Sequence, residues 1–310
     1  SGPAHLALFG YDPIEYIIGR GVLEATGIGI EVKPGDVAVR GNFCTVDANG
    51  LITDRRAGRI PTEEGAKRVE LLKQIQIPGV EITVEAVQDY RFALLLRGEN
   101  LSGAIADTDP QATGLATLPA RATKPEAEHT AAIINQWLAE ARKVLKGHEP
   151  ANMVTLRGFA EDPALPKYKD VYKLKAACVA VYPMYKGVAR LVGMDIIETD
   201  NHDHPADEFK RVAAIWNDYD FVFCHIKYTD SRGEDGDFDA KVKVIEEVDA
   251  ALPILTALNP AVMIITGDHS TPAALKSHSW HPVPTLLSAP KTHMPDRAQS
   301  YGERECMTGA

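Results

Sequence analysis

Gly267-Asp268-His269-Ser270-Thr271-Pro272 follows directly on the apolar run Ala261-Val262-Met263-Ile264-Ile265-Thr266. It is followed in turn by His278, in Ser277-His278-Ser279-Trp280-His281-Pro282-Val283-Pro284. A short apolar run opening onto Gly-Asp-His reads as a buried strand that delivers a carboxylate and an imidazole at its carboxyl end, where open α/β sheets place their ligands. Aspartate and histidine are donors suited to Mn²⁺, Zn²⁺ or Mg²⁺, and adjacent donors on an irregular turn can diverge toward two ions. Taken alone, the pair also reads as a strand-end Asp-His that caps the next turn.

Upstream, the strand Phe221-Val222-Phe223-Cys224-His225-Ile226 feeds Lys227-Tyr228-Thr229-Asp230-Ser231-Arg232-Gly233-Glu234-Asp235-Gly236-Asp237. Asp230 and Glu234 stand four residues apart, so one helical turn aims both at the same point. With Asp268, His269 and His278 they offer five oxygen or nitrogen donors; the plain reading is an acidic loop before a helix. Strand and helix patterns alternate from Pro150 onward. Strands are expected at Met153 to Leu156, Ala176 to Val181, Asp220 to Ile226 and Ala261 to Thr266. Helices are expected near Lys186 to Leu191, Ala206 to Trp216 and Asp239 to Leu252. Such alternation implies a mostly parallel sheet covered on both faces. His202 and His204 read as a helix-entry loop, because the His-x-His spacing has no third ligand nearby.

The first 150 residues are different in character. Ile14 to Gly21 has the apolar spacing of a short helix stopped by glycine. From Val32 strands and turns alternate: Val37 to Phe43, a hairpin turn at Asp47-Ala48-Asn49-Gly50, then Leu51 to Arg59. A helix is expected from Pro61 to about Gln76, strands at Val80 to Val87 and Tyr90 to Leu96, and a long amphipathic helix from Pro125 to Lys146. Asp107 and Asp109 read as turn residues. The expected architecture is α/β, with a core formed by residues 1–31 and 152–310 and an inserted α+β substrate or lid domain at 32–151.

Composition narrows the function. With 45% hydrophobic and 25% charged residues among 310, the chain has the make-up of an ordinary soluble globular protein. The pattern shows no membrane span and no charged-then-apolar leader, so a cytoplasmic protein is expected. A net charge of −10 without a long basic stripe argues against nucleic-acid binding. Cys44, Cys178, Cys224 and Cys306 lack CxxC spacing and read as reduced thiols. An anionic small substrate needs a local basic pocket, for which Arg55, Arg56, Arg59, Arg97 and Lys186 are candidates, the arginines as planar forks and the lysine as a point charge. A two-metal site of Asp, Glu and His donors is the equipment of phosphoryl transfer.

Six stretches taken in order resemble the archaeal-type, cofactor-independent phosphoglycerate mutases of the alkaline phosphatase superfamily. They are SGPAHLALFGYD at Ser1 to Asp12, DRRAGRI at Asp54 to Ile60, Arg97 to Ser102, YPMYKGVARLVGM at Tyr182 to Met194, DGDFDAKVKVIEEVD at Asp235 to Asp249, and Gly267 to Pro284. The resemblance implies an alkaline-phosphatase-like fold and an isomerase of glycolysis that interconverts 3-phosphoglycerate and 2-phosphoglycerate through a phosphoserine. It implies two divalent ions, with Mn²⁺ preferred over Mg²⁺, Co²⁺ or Zn²⁺, and no bisphosphoglycerate. Ser1 matches the family's nucleophile and His5 the histidine that follows it. Asp230, Glu234 and His278 match the donors of one ion, and Asp268 and His269 those of the other. Arg55, Arg59, Arg97 and Lys186 match the basic substrate contacts.

The sequence departs from the family's pattern in two places. Glu234 stands where the family commonly has histidine, which adds charge and favours harder ions. A strand bearing one more aspartate is expected ahead of Ser1, and a closing segment after Gly309. The expected partner is a small phosphorylated acid, with no nucleic acid and no membrane, and with homo-oligomerisation left open. Two other readings of the same residues are a phosphomonoesterase of that superfamily and a non-catalytic metal-binding or interaction protein.

Overall fold

The computed structural model describes residues 2–200, 204–291 and 295–307. Two compact units emerge from its backbone contacts, one comprising Ser1–Pro13 and Pro166–Ala310 and the other Ile14–Leu165. The chain starts with α1 (Gly2–Leu8) in the first of these and then passes into the second.

Residues 14–165 form an antiparallel sheet with helices. Strand β1 (Val37–Val46) turns through Asp47, whose carboxylate accepts from the backbone of Asn49 and Leu51, both at 2.9 Å, and runs back as β2 (Ile52–Asp54). Gly50 takes a φ of 79°, the conformation that makes glycine useful there, so the hairpin read from Asp47 to Gly50 is present. Helix α2 (Arg20–Gly27) precedes β1, and α3 (Thr62–Leu72) follows β2. Next come β3 (Val80–Ala86), β4 (Arg91–Gly98), α4 (Glu128–Val144) and β5 (Met153–Glu161). The sheet order is β2-β1-β4-β3, with β5 also paired to β1, and every pairing is antiparallel. Its core holds Phe43, Phe92, Leu94, Ile134 and Trp137, all fully buried, as the amphipathic pattern of Pro125 to Lys146 required.

Three expectations are corrected in this unit. The helix expected over Ile14 to Gly21 is absent: Ile14 and Ile17 are 85% and 78% exposed, and the helix begins at Arg20. Gly21 does not stop that helix but lies inside it, because a Cβ there would stand 2.2 Å from the Ala38 carbonyl oxygen of β1. Only glycine lets helix and strand approach so closely. Met153 to Leu156 opens no parallel sheet; it is part of β5, paired antiparallel to β1 from Val37↔Glu161 to Cys44↔Met153. By its backbone contacts the chain divides at 13/14 and 165/166, with β5 hydrogen-bonded to β1 and α2 packed on both strands, whereas the sequence reading put the boundaries at 31/32 and 151/152.

In the other unit, α5 (Tyr168–Tyr172) leads to β6 (Ala176–Ala180), α6 (Pro183–Leu191), β7 (Asp195–Ile197), α7 (Pro205–Ile215), β8 (Phe221–His225), α8 (Tyr228–Asp235) and α9 (Phe238–Thr256). The sheet β7-β6-β8 is parallel throughout, and its central strand β6 is buried at every residue. The mixed α/β class and the parallel sheet thus follow the sequence pattern. Strand β9 (Met263–Ile265) differs from expectation. It pairs antiparallel with β10 (Leu286–Ser288) and is not buried, Ile264 being 60% exposed. A short helix, α10 (Glu303–Cys306), is the last element described. No described helix is long and apolar enough to cross a membrane, and all four cysteines are free.

Candidate active site

Helix α8 realises the turn read between Asp230 and Glu234. Gly236, with a φ of 77°, ends it, and Asp237 then caps α9 by accepting from the Ala240 amide at 2.9 Å. Asp230 and Glu234 therefore share a face, and His278 meets both. Its Nε2 lies 3.4 Å from Asp230 Oδ1 and 3.5 Å from Glu234 Oε1. The turn after β9 places His269 Nε2 3.2 Å from Asp268 Oδ2. The rings of His269 and His278 face each other with centroids 3.8 Å apart, and donor atoms of Asp230, His269 and His278 all fall within 4.8 Å of one another. Three of the five donors read from the sequence thus form one cluster; Asp268 adjoins it through His269 and Glu234 through His278.

Their separations have a physical meaning. Two atoms bound to one divalent ion at about 2.1 Å stand about 3.0–3.4 Å apart, close to the 3.2–3.5 Å spacings here. Three carboxylates and two imidazoles make a donor set for hard-to-borderline cations. Burial pulls the Asp230 carboxyl upward, but the Lys227 ammonium and the Thr271 hydroxyl hold it below the usual carboxylate range, so it is ionised. Burial lowers His269, which keeps its ring neutral, the form that ligates.

The remaining candidates are placed as follows. Ser1 and His202 lie outside the described residues. His204 stands at the entry to α7, its amide 3.3 Å from the Asp207 carboxylate, as the helix-entry reading expected. His5, on α1, is fully buried, with Nδ1 3.5 Å from Asp268 Oδ2. Lys186, on α6, is half-buried, and among the described residues its ammonium makes no hydrogen bond or ion pair; burial lowers its pKa. Arg55, Arg59 and Arg97 belong to the other unit. There Arg55 forks onto Asp109 at 3.2 and 2.7 Å, and Arg97 onto Asp36 at 2.9 and 2.7 Å. Arg59 has no such partner among the described residues. Asp109 holds a turn through the Gln111 amide at 2.8 Å, but it is also the buried anchor of Arg55, and Asp107 accepts from Arg157 at 3.3 Å. The turn reading of these two aspartates was therefore incomplete.

Four residues have a place here that sequence reasoning passed over. Lys227 pairs with Asp230 one turn on and stands 5.3 Å from the Tyr182 ring centroid. Lys241 of α9 donates to the Thr271 carbonyl at 2.6 Å, and Thr271 itself is buried. The i,i+3 spacing of Lys227 and Asp230 was a usable signal; nothing in the sequence marked Lys241 or Thr271.

His225, at the end of β8, is the fourth. Its ring stacks 3.6 Å from that of Tyr185 and 5.2 Å from that of His5, and its Nδ1 has no hydrogen-bond partner among the described residues. Burial first, then His5, drives its pKa from 6.5 to about 3, with Asp268 opposing and Lys227 reinforcing. The folded protein keeps His225 neutral where the unfolded chain protonates it. Its contribution to stability is therefore complete above the unfolded value of 6.5 and is lost as pH falls toward 3. Across that window His225 adds a slope of up to about 1.4 kcal/mol per pH unit. Denaturation midpoints measured against pH for the protein and for His225→Phe should show the shallower slope in the variant; equal slopes would refute this.

Comparison with known proteins gives the family. The family model described as 2,3-bisphosphoglycerate-independent phosphoglycerate mutase matches residues 1–151. A Thermotoga maritima protein named "Probable 2,3-bisphosphoglycerate-independent phosphoglycerate mutase" is 50% identical over 311 residues, spanning 100% of this chain and 77% of its own length. The chain belongs to that family. A Thermus thermophilus relative of the same name is 48% identical over 313 residues, again 100% of this chain and 77% of that protein. Among solved structures, the cofactor-independent phosphoglycerate mutase of Thermoplasma acidophilum aligns with a TM-score of 0.76 at 31% identity, over 99% of this chain and 81% of its own. A Pyrococcus horikoshii protein aligns with a TM-score of 0.78 at 28% identity, over 100% and 78% respectively. The alkaline-phosphatase-like α/β fold of the phosphoglycerate mutases is thus the fold of this chain.

Proposed function

We propose that this phosphoglycerate mutase interconverts 3-phosphoglycerate and 2-phosphoglycerate by passing the phosphoryl group through Ser1, with divalent metal held by Asp230, Glu234, Asp268, His269 and His278. The cluster of Asp230, His269 and His278, with Asp268 beside His269 and Glu234 beside His278 at ligand-like spacings, supports the reading. A divalent cation bound there supplies positive charge that eases deprotonation of a serine hydroxyl and neutralises phosphate oxygens. Glu234 in place of a histidine raises the negative charge of the set and favours Mn²⁺ or Mg²⁺ over softer ions.

The chain's own groups have distinct tasks in this reading. The serine oxygen forms a bond to phosphorus as the ester bond to the glycerate oxygen breaks, and that oxygen takes up a proton. The reverse step at the other hydroxyl returns the group and restores the serine, so atoms and charge balance over the cycle. Lys186, with an ammonium free of protein partners among the described residues, is the cation of its unit best suited to a phosphate. Arg55 and Arg97 arrive with their forks already engaged by Asp109 and Asp36, whereas Arg59 has no side-chain partner among the described residues and remains available for a carboxylate. Exclusion of water during the transfer keeps the phosphoserine from hydrolysis.

The test is a conversion assay with 3-phosphoglycerate, no bisphosphoglycerate, and Mn²⁺ either added or chelated, with inorganic phosphate followed in parallel. Conversion that requires Mn²⁺ and releases no phosphate is the expected result. Phosphate release without isomerisation would replace the mutase by a phosphomonoesterase. Full turnover in the presence of chelator would remove the metal from the mechanism.

A further inference from the structure

We infer that Thr271 is a positioning residue whose single hydroxyl proton fixes the tautomer of His269 and the aim of Asp230, leaving His269 Nε2 as a lone pair for metal. This rests on the metal-dependent reading above. Thr271 Oγ1 lies 2.6 Å from Asp230 Oδ1 and 3.1 Å from His269 Nδ1. A hydroxyl has one proton to give. At 2.6 Å two oxygens repel unless a proton lies between them, and an ionised carboxylate has none, so the hydroxyl must donate to Asp230. Toward His269 it can then only accept, and Nδ1 must carry the ring proton. In a neutral imidazole that leaves Nε2 bare, 3.2 Å from Asp268 Oδ2. Two lone pairs facing one another at that distance are stabilised by a cation between them.

The hydroxyl is held on aim by its own residue. Threonine is stiff about χ1, and its methyl packs where α8 has Gly233: a Cβ at that glycine would stand 2.9 Å from Thr271 Cγ2. On the other side Lys241 grips the Thr271 carbonyl at 2.6 Å. One buried side chain, 3% exposed, thus joins the donor on α8 to the donor on the turn after β9.

Thr271→Val keeps the shape and removes the proton; Thr271→Ser keeps the hydroxyl and removes the methyl. In the metal-free protein, ¹⁵N NMR of the His269 ring should report the Nδ1–H tautomer for the wild type and for Thr271→Ser, and a shift toward Nε2–H in Thr271→Val, where the proton moves to face Asp268. Calorimetric titration with Mn²⁺ should show about a 10–100-fold loss of affinity for Thr271→Val, with Thr271→Ser retaining most of it. Unaltered Mn²⁺ affinity in a folded Thr271→Val protein would overturn the inference. So would an Nε2–H ring in the wild type, a result that needs no variant to fold. If the wild type takes up no Mn²⁺, the metal reading falls by itself, and the tautomer still decides what Thr271 does.

Discussion

Gly233→Ala should cost this enzyme about 100-fold in kcat/KM, against the usual benefit of replacing a helical glycine. In an isolated helix the change gains up to about 1 kcal/mol, because alanine gives up less backbone freedom on folding. Here Gly233 is buried on α8, one residue before Glu234 and three after Asp230. The added Cβ would lie 2.3 Å from the Thr271 carbonyl oxygen, a backbone atom that Lys241 already holds at 2.6 Å. Neither side can yield by rotating a side chain, so α8 and the Gly267-to-Pro272 turn must separate. Overpacking of this kind costs about 1–3 kcal/mol, and a shift of about 1 Å at a catalytic constellation costs on the order of 10² in rate. Thermal melts would read the first effect and steady-state kinetics the second. A variant that melts higher and turns over normally would show that α8 and the turn are not in register as described.

Asp230→Asn should abolish measurable Mn²⁺ binding, a loss of more than about 100-fold, and should also destabilise the metal-free protein. Two roles are joined in this carboxylate. It stands 3.4 Å from His278 Nε2, and it neutralises Lys227, whose side chain is only 16% exposed. Removing one partner of a buried pair leaves the other charge uncompensated, at about 3–5 kcal/mol when burial is complete; for a pair 13–16% exposed about 1–3 kcal/mol is expected after discounting for solvent. The double variant Lys227→Met with Asp230→Asn separates the roles. It should recover most of the lost stability and none of the metal affinity. Recovery of Mn²⁺ binding in the double variant would mean that Asp230 serves only as a counter-ion to Lys227. The depressed pKa of Asp230 gives the same pair an acid limit. Its stabilisation is present above the ordinary carboxylate value of 3.8 and disappears as pH falls below it.

The arginines show how far residue type alone can lead. Arg55, Arg59 and Arg97 were equivalent in the sequence, each a fork suited to an anion. In the folded unit Arg55 and Arg97 are committed to Asp109 and Asp36, carboxylates 54 and 61 residues away. Burial of those aspartates makes the pairing favourable, and no local pattern announces it. The same holds for Gly21, read as a helix stop and found as a contact surface, because its role is set by the Ala38 carbonyl of a later strand.

What the sequence determined by itself is what depends on neighbours within one turn or one hairpin. Period-3.6 spacing set α4 and α9, the Asp47-to-Gly50 turn set the β1–β2 hairpin, and the four-residue interval put Asp230 and Glu234 on one face of α8. Donor chemistry likewise followed from residue type, since Asp, Glu and His at strand ends suit divalent cations wherever they meet. Tertiary structure alone decided that they do meet. Thr271 reaches Asp230 across 41 residues, β5 leaves the parallel pattern for a partner strand formed more than 100 residues earlier, and His225 is neutral because burial, reinforced by the nearby His5, disfavours its charged form. Such features arise from close packing between distant segments, where a single Cβ or one hydroxyl proton tips the balance, and no periodicity along the chain encodes a contact of that kind.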